Sequence, residues 1–251
     1  MAKREKRKLD DLLLSEGLAP DLKEARALIM AGQVLVDEQR IDKPGTLVDT
    51  AASIRLRGQR RFVSRGGDKL WGAIEDLGLA PLFKDAVVLD CGSSTGGFTD
   101  CALQLGARRV YAIEMGFHQL DWKLRNDPRV VVMEQTDLRS IDRILDPDAS
   151  LVVADISFSS IARILPAICN LIPARPVQVH FLLLVKPQFE LDSERVPAGG
   201  VVDDQNSRAD ALQKAEAAAQ EQNLKLEALI PSRVLGREGN QEFFLYARRL
   251  D

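Results

Sequence analysis

The sequence predicts an α/β protein: an open, mostly parallel sheet with helices on both faces, preceded by a small α+β module. From Lys84 onward, short apolar runs alternate with helical segments. The first of those runs opens into a glycine-rich turn, and ionisable residues follow five of them: Asp90, Glu114, Asp137, Asp155 and Lys186. Charge is also divided along the chain, with 14 basic and 10 acidic side chains in residues 1–67 against 20 and 27 in residues 68–251.

At 251 residues, 45% hydrophobic and 28% charged, the chain can bury a full core and is expected to form two domains, 1–59 and 60–251. Its three cysteines, Cys91, Cys101 and Cys169, include no C-x-x-C pair, which indicates neither a disulfide framework nor a zinc site. A reducing, cytoplasmic location fits. The longest uncharged runs, Ile164 to Ala174 and Pro176 to Val185, fall short of the ~20 residues that span a bilayer. The basic start has no apolar signal segment after it, so neither secretion nor membrane insertion is expected. A net +4 module beside a −7 module points to a polyanionic partner for the first.

In the first module, five of the six residues Lys3 to Lys8 are basic, and Leu9, Leu12 and Leu13 recur at helical spacing. This reads as a short amphipathic helix with a cationic entrance. Asp21 with Glu24 three residues on makes an acidic capping box, opening a second helix through Ala25, Leu28 and Ile29 that Gly32 would stop. Val34 to Val36, Ile41 and Ser53 to Leu56 read as short strands, and Gly58 to Arg61 as a hinge.

In the second module the strand candidates are 87–89, 110–113, 130–133, 151–154, 179–185 and 242–246. After the first of them come Asp90-Cys91-Gly92-Ser93-Ser94-Thr95-Gly96-Gly97-Phe98. Glycines here let the backbone approach a ligand where a Cβ would collide. A carboxylate ahead of the first glycine would repel phosphate but suits an ammonium, and S-adenosylmethionine carries both an ammonium and a sulfonium. Glu114, 22 residues beyond Gly92, stands where an acid can hold both ribose hydroxyls. Ala209 to Glu227 reads as an exposed helix, and His180, inside an apolar strand, as a satisfied core residue.

The first module resembles the S4 RNA-binding domain through Lys8-Leu9-Asp10, Gly17-Leu18, Ala25, Ile29 to Val34 and Val36. Asp21-Leu22 stands where Ser-Arg is usual. Over nearly its whole length the chain resembles the TlyA family, which joins an S4 domain to an FtsJ-like RNA methyltransferase domain with a Rossmann-like sheet. The matching residues are Ser64-Arg65-Gly66-Gly67 with Lys69, Ser94 to Asp100, Gln119-Leu120 with Trp122 to Arg125, Asp155 to Phe158, Lys186 to Glu190, and Gly239-Asn240 with Glu242-Phe243.

The resemblance implies an S-adenosylmethionine-dependent 2′-O-methyltransferase of ribosomal RNA, acting on cytidines in free RNA or ribosomal subunits; members are also labelled hemolysin. It implies a Lys-Asp-Lys-Glu tetrad at Lys69, Asp155, Lys186 and Glu242. Cofactor contacts are expected from Asp90, Gly92, Ser94, Thr95, Gly96, Gly97, Phe98, Glu114 and Asp137, with Asp137 on the adenine amino group. RNA contacts are expected from Lys3, Arg4, Lys6, Arg7, Lys8, Lys23, Arg26 and Arg65. A lysine at its ordinary pKa of ~10.4 cannot accept a hydroxyl proton, but two lysines in one pocket lower the cost of one being neutral. Lys186 is therefore the expected base or hydroxyl orienter, with the other three fixing geometry. No metal is expected.

Asp155-Ile156-Ser157-Phe158 stands where methylation of an exocyclic nitrogen would favour Asn-Pro-Pro-aromatic, and no Pro-Cys pair supplies a C5-methylation nucleophile. The rivals are a non-catalytic RNA-binding or ribosome-assembly factor and a cytolysin, for which no long apolar or amphipathic membrane segment is evident.

Overall fold

The computed structural model describes residues 6–37, 39–50, 52–57, 61–142, 145–157, 159–172 and 178–249. The chain divides into two compact units, Met1–Arg61 and Phe62–Asp251. The expected hinge lies outside the described residues except for Arg61.

The first unit runs β1 (Lys6–Lys8), α1 (Leu9–Ser15), α2 (Leu22–Met30), β2 (Val34–Val36), β3 (Gln39–Ile41), β4 (Leu47–Asp49) and β5 (Ile54–Leu56). Strands β3, β2 and β5 form an antiparallel sheet in that order. Leu9, Leu12 and Leu13 of α1 and Ala25 and Ile29 of α2 pack with Val34, Val36 and Leu56. Asp21 caps α2 by accepting from the Glu24 backbone N–H at 2.8 Å, and Gly32, at φ +66°, follows its end. The described part of the cationic entrance to α1 is not helical. Lys6 to Lys8 form β1, paired antiparallel with β4, and Lys6 lies opposite Asp49. That pairing is non-local, and Leu47-Val48 is too short an apolar run to announce β4.

The second unit runs α3 (Arg65–Leu77), β6 (Val87–Cys91), α4 (Gly97–Gln104), β7 (Arg109–Ile113), α5 (Trp122–Arg125) and β8 (Val130–Met133). Then come β9 (Ala149–Ala154), α6 (Ile161–Asn170), β10 (His180–Val185), α7 (Pro187–Glu190), α8 (Gln205–Glu221), β11 (Leu224–Pro231) and β12 (Phe243–Arg249). The seven strands form one sheet in the order β11-β12-β10-β9-β6-β7-β8. Strands β6 to β10 are parallel, and β12 runs antiparallel to its neighbours.

Each sheet face has its own core. Val87, Leu89 and Cys91 pack with α6 and α8, whereas Val88, Val110 and Val153 pack with α3 and α4. Because side chains alternate along β6, Asp90 falls on the α4 face with Val88. The order reverses at β6: β7 and β8 lie on one side, β9 and β10 on the other. In an open α/β sheet such a reversal leaves a crevice at the carboxyl ends of the two strands.

Two expectations are corrected here. The segment 209–227 is not one exposed helix: α8 ends at Glu221, Asn223 turns at φ +56°, and β11 begins at Leu224. Helix α8 also buries Ala211, Ala215, Ala218 and Ala219, a stripe that methyl groups alone render faint in sequence. His180 starts β10 half-buried rather than in the core, with Nδ1 2.9 Å from the Tyr246 hydroxyl; burial lowers its pKa.

Candidate active site

A cleft of about 700 Å³ opens at the strand-order reversal, lined by Gly92, Ser94, Glu114, Asp137, Asp155, Ser157 and Arg163 among others. Gly92 leaves β6 at φ +80°, and a Cβ there would stand 2.9 Å from the Asp155 carbonyl oxygen. Only glycine lets these two strand ends approach so closely. Ser94 donates its backbone N–H to Glu114 Oε2 at 3.0 Å and its hydroxyl to Gln119 Oε1 at 3.2 Å. Glu114 Oε1 accepts from the Gly116 N–H at 2.7 Å, so both of its oxygens point into the loops that frame the cleft.

The remaining residues of the glycine-rich turn serve other contacts. A Cβ on Gly97 would strike the Ser64 hydroxyl and lie 2.6 Å from the Gly67 nitrogen, so this glycine seats α4 against α3. Gly96 lies at the N-terminus of α4, and the Thr95 carbonyl accepts from the Asp121 N–H. Phe98 is buried and stacks on Phe244 with ring centroids 6.0 Å apart. Asp90 is fully buried and accepts a 2.5 Å hydrogen bond from the Thr99 hydroxyl, while its other oxygen has no hydrogen-bond partner among the described residues. Burial pushes its carboxyl up to about 7. Asp90, Thr95, Gly96, Gly97 and Phe98 thus build the wall behind the cleft, whereas Gly92, Ser94, Glu114 and Asp137 line it.

Asp137 accepts from the Arg139 backbone N–H at 2.9 Å and forms a 2.6 Å ion pair with its guanidinium, which holds the carboxyl down at about 2. Glu134, which the sequence reading passed over, organises the next loop. It accepts from the backbone N–H groups of His118, Gln119 and Leu120 and pairs with Arg125 at 2.7 Å. Those contacts, led by Arg125, lower its carboxyl to about 2. The signal was present, since Glu134 follows the apolar run of β8 directly.

The four expected tetrad residues form two ion pairs. Lys186, just past β10, lies 2.6 Å from Asp155 Oδ1 and donates to the Ser157 hydroxyl at 2.8 Å. Lys69, on α3, lies 2.6 Å from Glu242 Oε2, and both side chains are at least nine-tenths buried. Strand register explains the placement, because Val185 pairs with Phe243 and puts Lys186 and Glu242 one step beyond the same rung. The start of α3 reaches the other pair, since a Cβ on Gly66 would lie 3.8 Å from Asp155 Oδ2. Asp155 and Ser157 line the cleft, and the buried Lys186 contacts both. Among the described residues, no group of three or more His, Cys, Asp or Glu is arranged to hold a metal ion.

Residues 62–249 match the FtsJ-like methyltransferase family, and residues 7–54 match the S4 domain. The chain is 41% identical over 248 residues to the 16S/23S rRNA (cytidine-2′-O)-methyltransferase TlyA of Mycobacterium tuberculosis, covering 96% of this chain and 89% of the relative. The chain belongs to the TlyA family. A Streptococcus thermophilus structure provisionally named a hemolysin is similar to this TlyA-family chain, with a TM-score of 0.71, 35% identity and coverage of 99% and 90%. A Listeria monocytogenes structure, provisionally named an S-adenosylmethionine-dependent methyltransferase, matches with a TM-score of 0.52 at 16% identity. It covers 73% of this chain and all of its own, and shows the fold alone. Among the described residues no helix is long and apolar enough to cross a membrane.

Of the RNA-binding candidates in this TlyA-family chain, Lys6, Arg7 and Lys8 are exposed along β1, and Lys23 is exposed on α2. Arg26 is exposed, but its guanidinium is held by buried Asp10 at 2.9 Å. Arg65, in the second unit, donates to the Leu235 carbonyl. Lys3 and Arg4 lie outside the described residues, as does Phe158.

Proposed function

We propose that this TlyA-family protein is a cytoplasmic S-adenosylmethionine-dependent methyltransferase acting on the 2′-hydroxyl of cytidines in ribosomal RNA, free or in ribosomal subunits. Residues 1–59 serve as its RNA-binding module and 60–251 as its methyltransferase module. The carrying observation is the pair of lysine–carboxylate contacts, Lys186–Asp155 and Lys69–Glu242, each 2.6 Å, at the strand ends beside a cleft. Two buried lysines, each matched by one carboxylate, make a water-poor site with fixed donors and little net charge.

The residues present fit the cofactor. Gly92 and Glu114 line the cleft, and the Glu114 carboxylate, held by the Ser94 and Gly116 N–H groups, keeps lone pairs to accept from a ribose. Asp137, ionised by its pairing with Arg139, is an acceptor for an adenine amino group. When bound, S-adenosylmethionine supplies an electrophilic methyl group on a sulfonium.

The chain's own task is to align a ribose hydroxyl and manage its proton. Asp155 and Ser157 restrain the Lys186 amine from two directions, so its position is set before substrate arrives. Lys186 directs the hydroxyl oxygen or takes its proton, and Asp155, its partner at 2.6 Å, orients the amine. Lys69 and Glu242 support the site from α3 and the start of β12. Exposed Lys6, Arg7, Lys8 and Lys23 supply sequence-independent phosphate contacts.

Methyl transfer from labelled S-adenosylmethionine to large- and small-subunit ribosomal RNA and to intact subunits, with nuclease digestion to locate the label, tests this reading. Label on cytidine 2′-oxygens supports it. No transfer despite demonstrated binding of cofactor and RNA overturns it in favour of a non-catalytic RNA-binding factor.

A further inference from the structure

Glu190 is assigned no role above, yet it is 5% exposed and its Oε2 is buried with no hydrogen-bond partner among the described residues. Its Oε1 accepts from the Ile161 backbone N–H at 2.7 Å. Burial pushes the carboxyl up to about 7. Ile161 is the first residue of α6, whose N-cap, Ser160, makes no side-chain capping bond. A carboxyl 29 residues further along the chain therefore does what a local cap does elsewhere.

The placement of the two joined segments matters more than the cap itself. One segment leaves β9 with Asp155, passes Ser157 and enters α6; the other leaves β10 with Lys186 and turns through α7 to Glu190. Asp155 and Lys186 meet at 2.6 Å, and Lys186 meets Ser157 at 2.8 Å, where the segments begin. Glu190 and Ile161 join them again where they end. Between these points the segments leave the sheet ladder. An apolar residue at 190 would avoid the buried carboxyl but would leave the far ends unjoined.

We infer that Glu190 is a positioning residue that holds the Lys186-bearing segment against the Asp155-bearing segment and so fixes the Lys186 amine. This rests on the proposal that the Lys186–Asp155 pair belongs to the methyl-transfer site. Glu190 itself touches no reacting atom.

The variants Glu190→Gln, which keeps the acceptor, and Glu190→Ala, which removes it, test the inference in the full chain. With Glu190→Ala, kcat is expected to fall about tenfold to a hundredfold, as misplacement of a reacting group does, while KM for RNA and the Kd for S-adenosylmethionine hold. Glu190→Gln is expected to restore kcat. Wild-type kcat in Glu190→Ala overturns the inference, as does a Glu190→Gln variant as slow as the alanine.

A simple capping role is separated by adding Ser160→Asp to Glu190→Ala, which supplies a local cap. Recovery of Tm without kcat is expected; recovery of both overturns the inference. If the wild-type chain transfers no methyl group, the proposed function fails, but the brace is still read from amine acylation of Lys186 by mass spectrometry. Faster labelling in Glu190→Ala than in wild type or Glu190→Gln supports the brace, and equal rates overturn it.

Discussion

Lys69 and Glu242 meet at 2.6 Å although they come from α3 and from the start of the last strand, 173 residues later in the chain. Both are nearly excluded from water, so removing one partner strands the other. Lys69→Ala is expected to lose about 3–5 kcal/mol of stability, the usual cost of an unpaired buried charge. The double variant Lys69→Met with Glu242→Leu is expected to recover most of that stability and none of the methyl transfer. Chemical denaturation beside single-turnover kinetics measures both; activity in the double variant would exclude the pair from the reaction.

Lys186→Ala is expected to lower kcat by about 10²–10⁴ with cofactor affinity preserved, the range for loss of a positioned acid–base group. Isothermal titration with S-adenosylmethionine and a transfer assay separate the two effects. Wild-type transfer by this variant would remove Lys186 from the mechanism.

Glu134 sets the shape of the 118–120 loop by accepting three backbone N–H groups. Glu134→Ala is expected to cost about 1–3 kcal/mol and to weaken cofactor binding, because Gln119 of that loop lines the cleft. Its folded carboxyl sits at about 2, below its unfolded value near 4.5. Its stabilising contribution is therefore present above pH 4.5 and lost as pH falls towards 2. Melting curves across that window, wild type against variant, check the sign.

Asp90 carries the opposite sign. Its carboxyl is raised from near 3.8 to about 7 in the folded chain, so the folded state binds the proton more tightly than the unfolded one. Its neutral form favours the fold at low pH, and stability declines as pH rises from 3.8 towards 7, by at most about 1.4 kcal/mol per pH unit for one proton. Glu190, raised to about 7, adds a slope of the same sign. Asp90→Asn is expected to flatten the dependence between pH 5 and 7 in urea unfolding series. An unchanged slope would assign the titration elsewhere.

Replacing Lys6, Arg7 and Lys8 by alanine is expected to weaken RNA binding uniformly across sequences. The salt dependence of log K should become shallower by about one per lost phosphate contact. Arg26→Ala, by contrast, removes a group already paired with Asp10, and a smaller change in the slope is expected. Filter binding over a salt series distinguishes them.

The sheet was legible wherever an apolar β-branched run ended in an ionisable residue, as at Val87–Asp90 and Val110–Glu114. Strand β11 was not, because Leu224–Pro231 follows an alanine-rich helix with only the turn at Asn223 between them. The tetrad residues stood out as motif positions, but which lysine meets which carboxylate depends on how α3 and the end of β9 pack beside β10 and β12, a non-local quantity. The glycine-rich turn also carries packing demands that its motif does not announce. Gly97 has the look of a ligand contact, yet its missing Cβ is needed for helix packing. Phe98 reads as part of the same motif and belongs to the core.

That contact between Gly97 and Gly67 has a mechanical consequence. The turn that follows β6 and the helix that carries Lys69 approach backbone to backbone, with the Ser64 hydroxyl beside them, so a shift of one against the other meets close-packed atoms. Under the proposed function, the donor side of the site and one of its amines are thus built on one packed contact, which sets their spacing before any ligand binds.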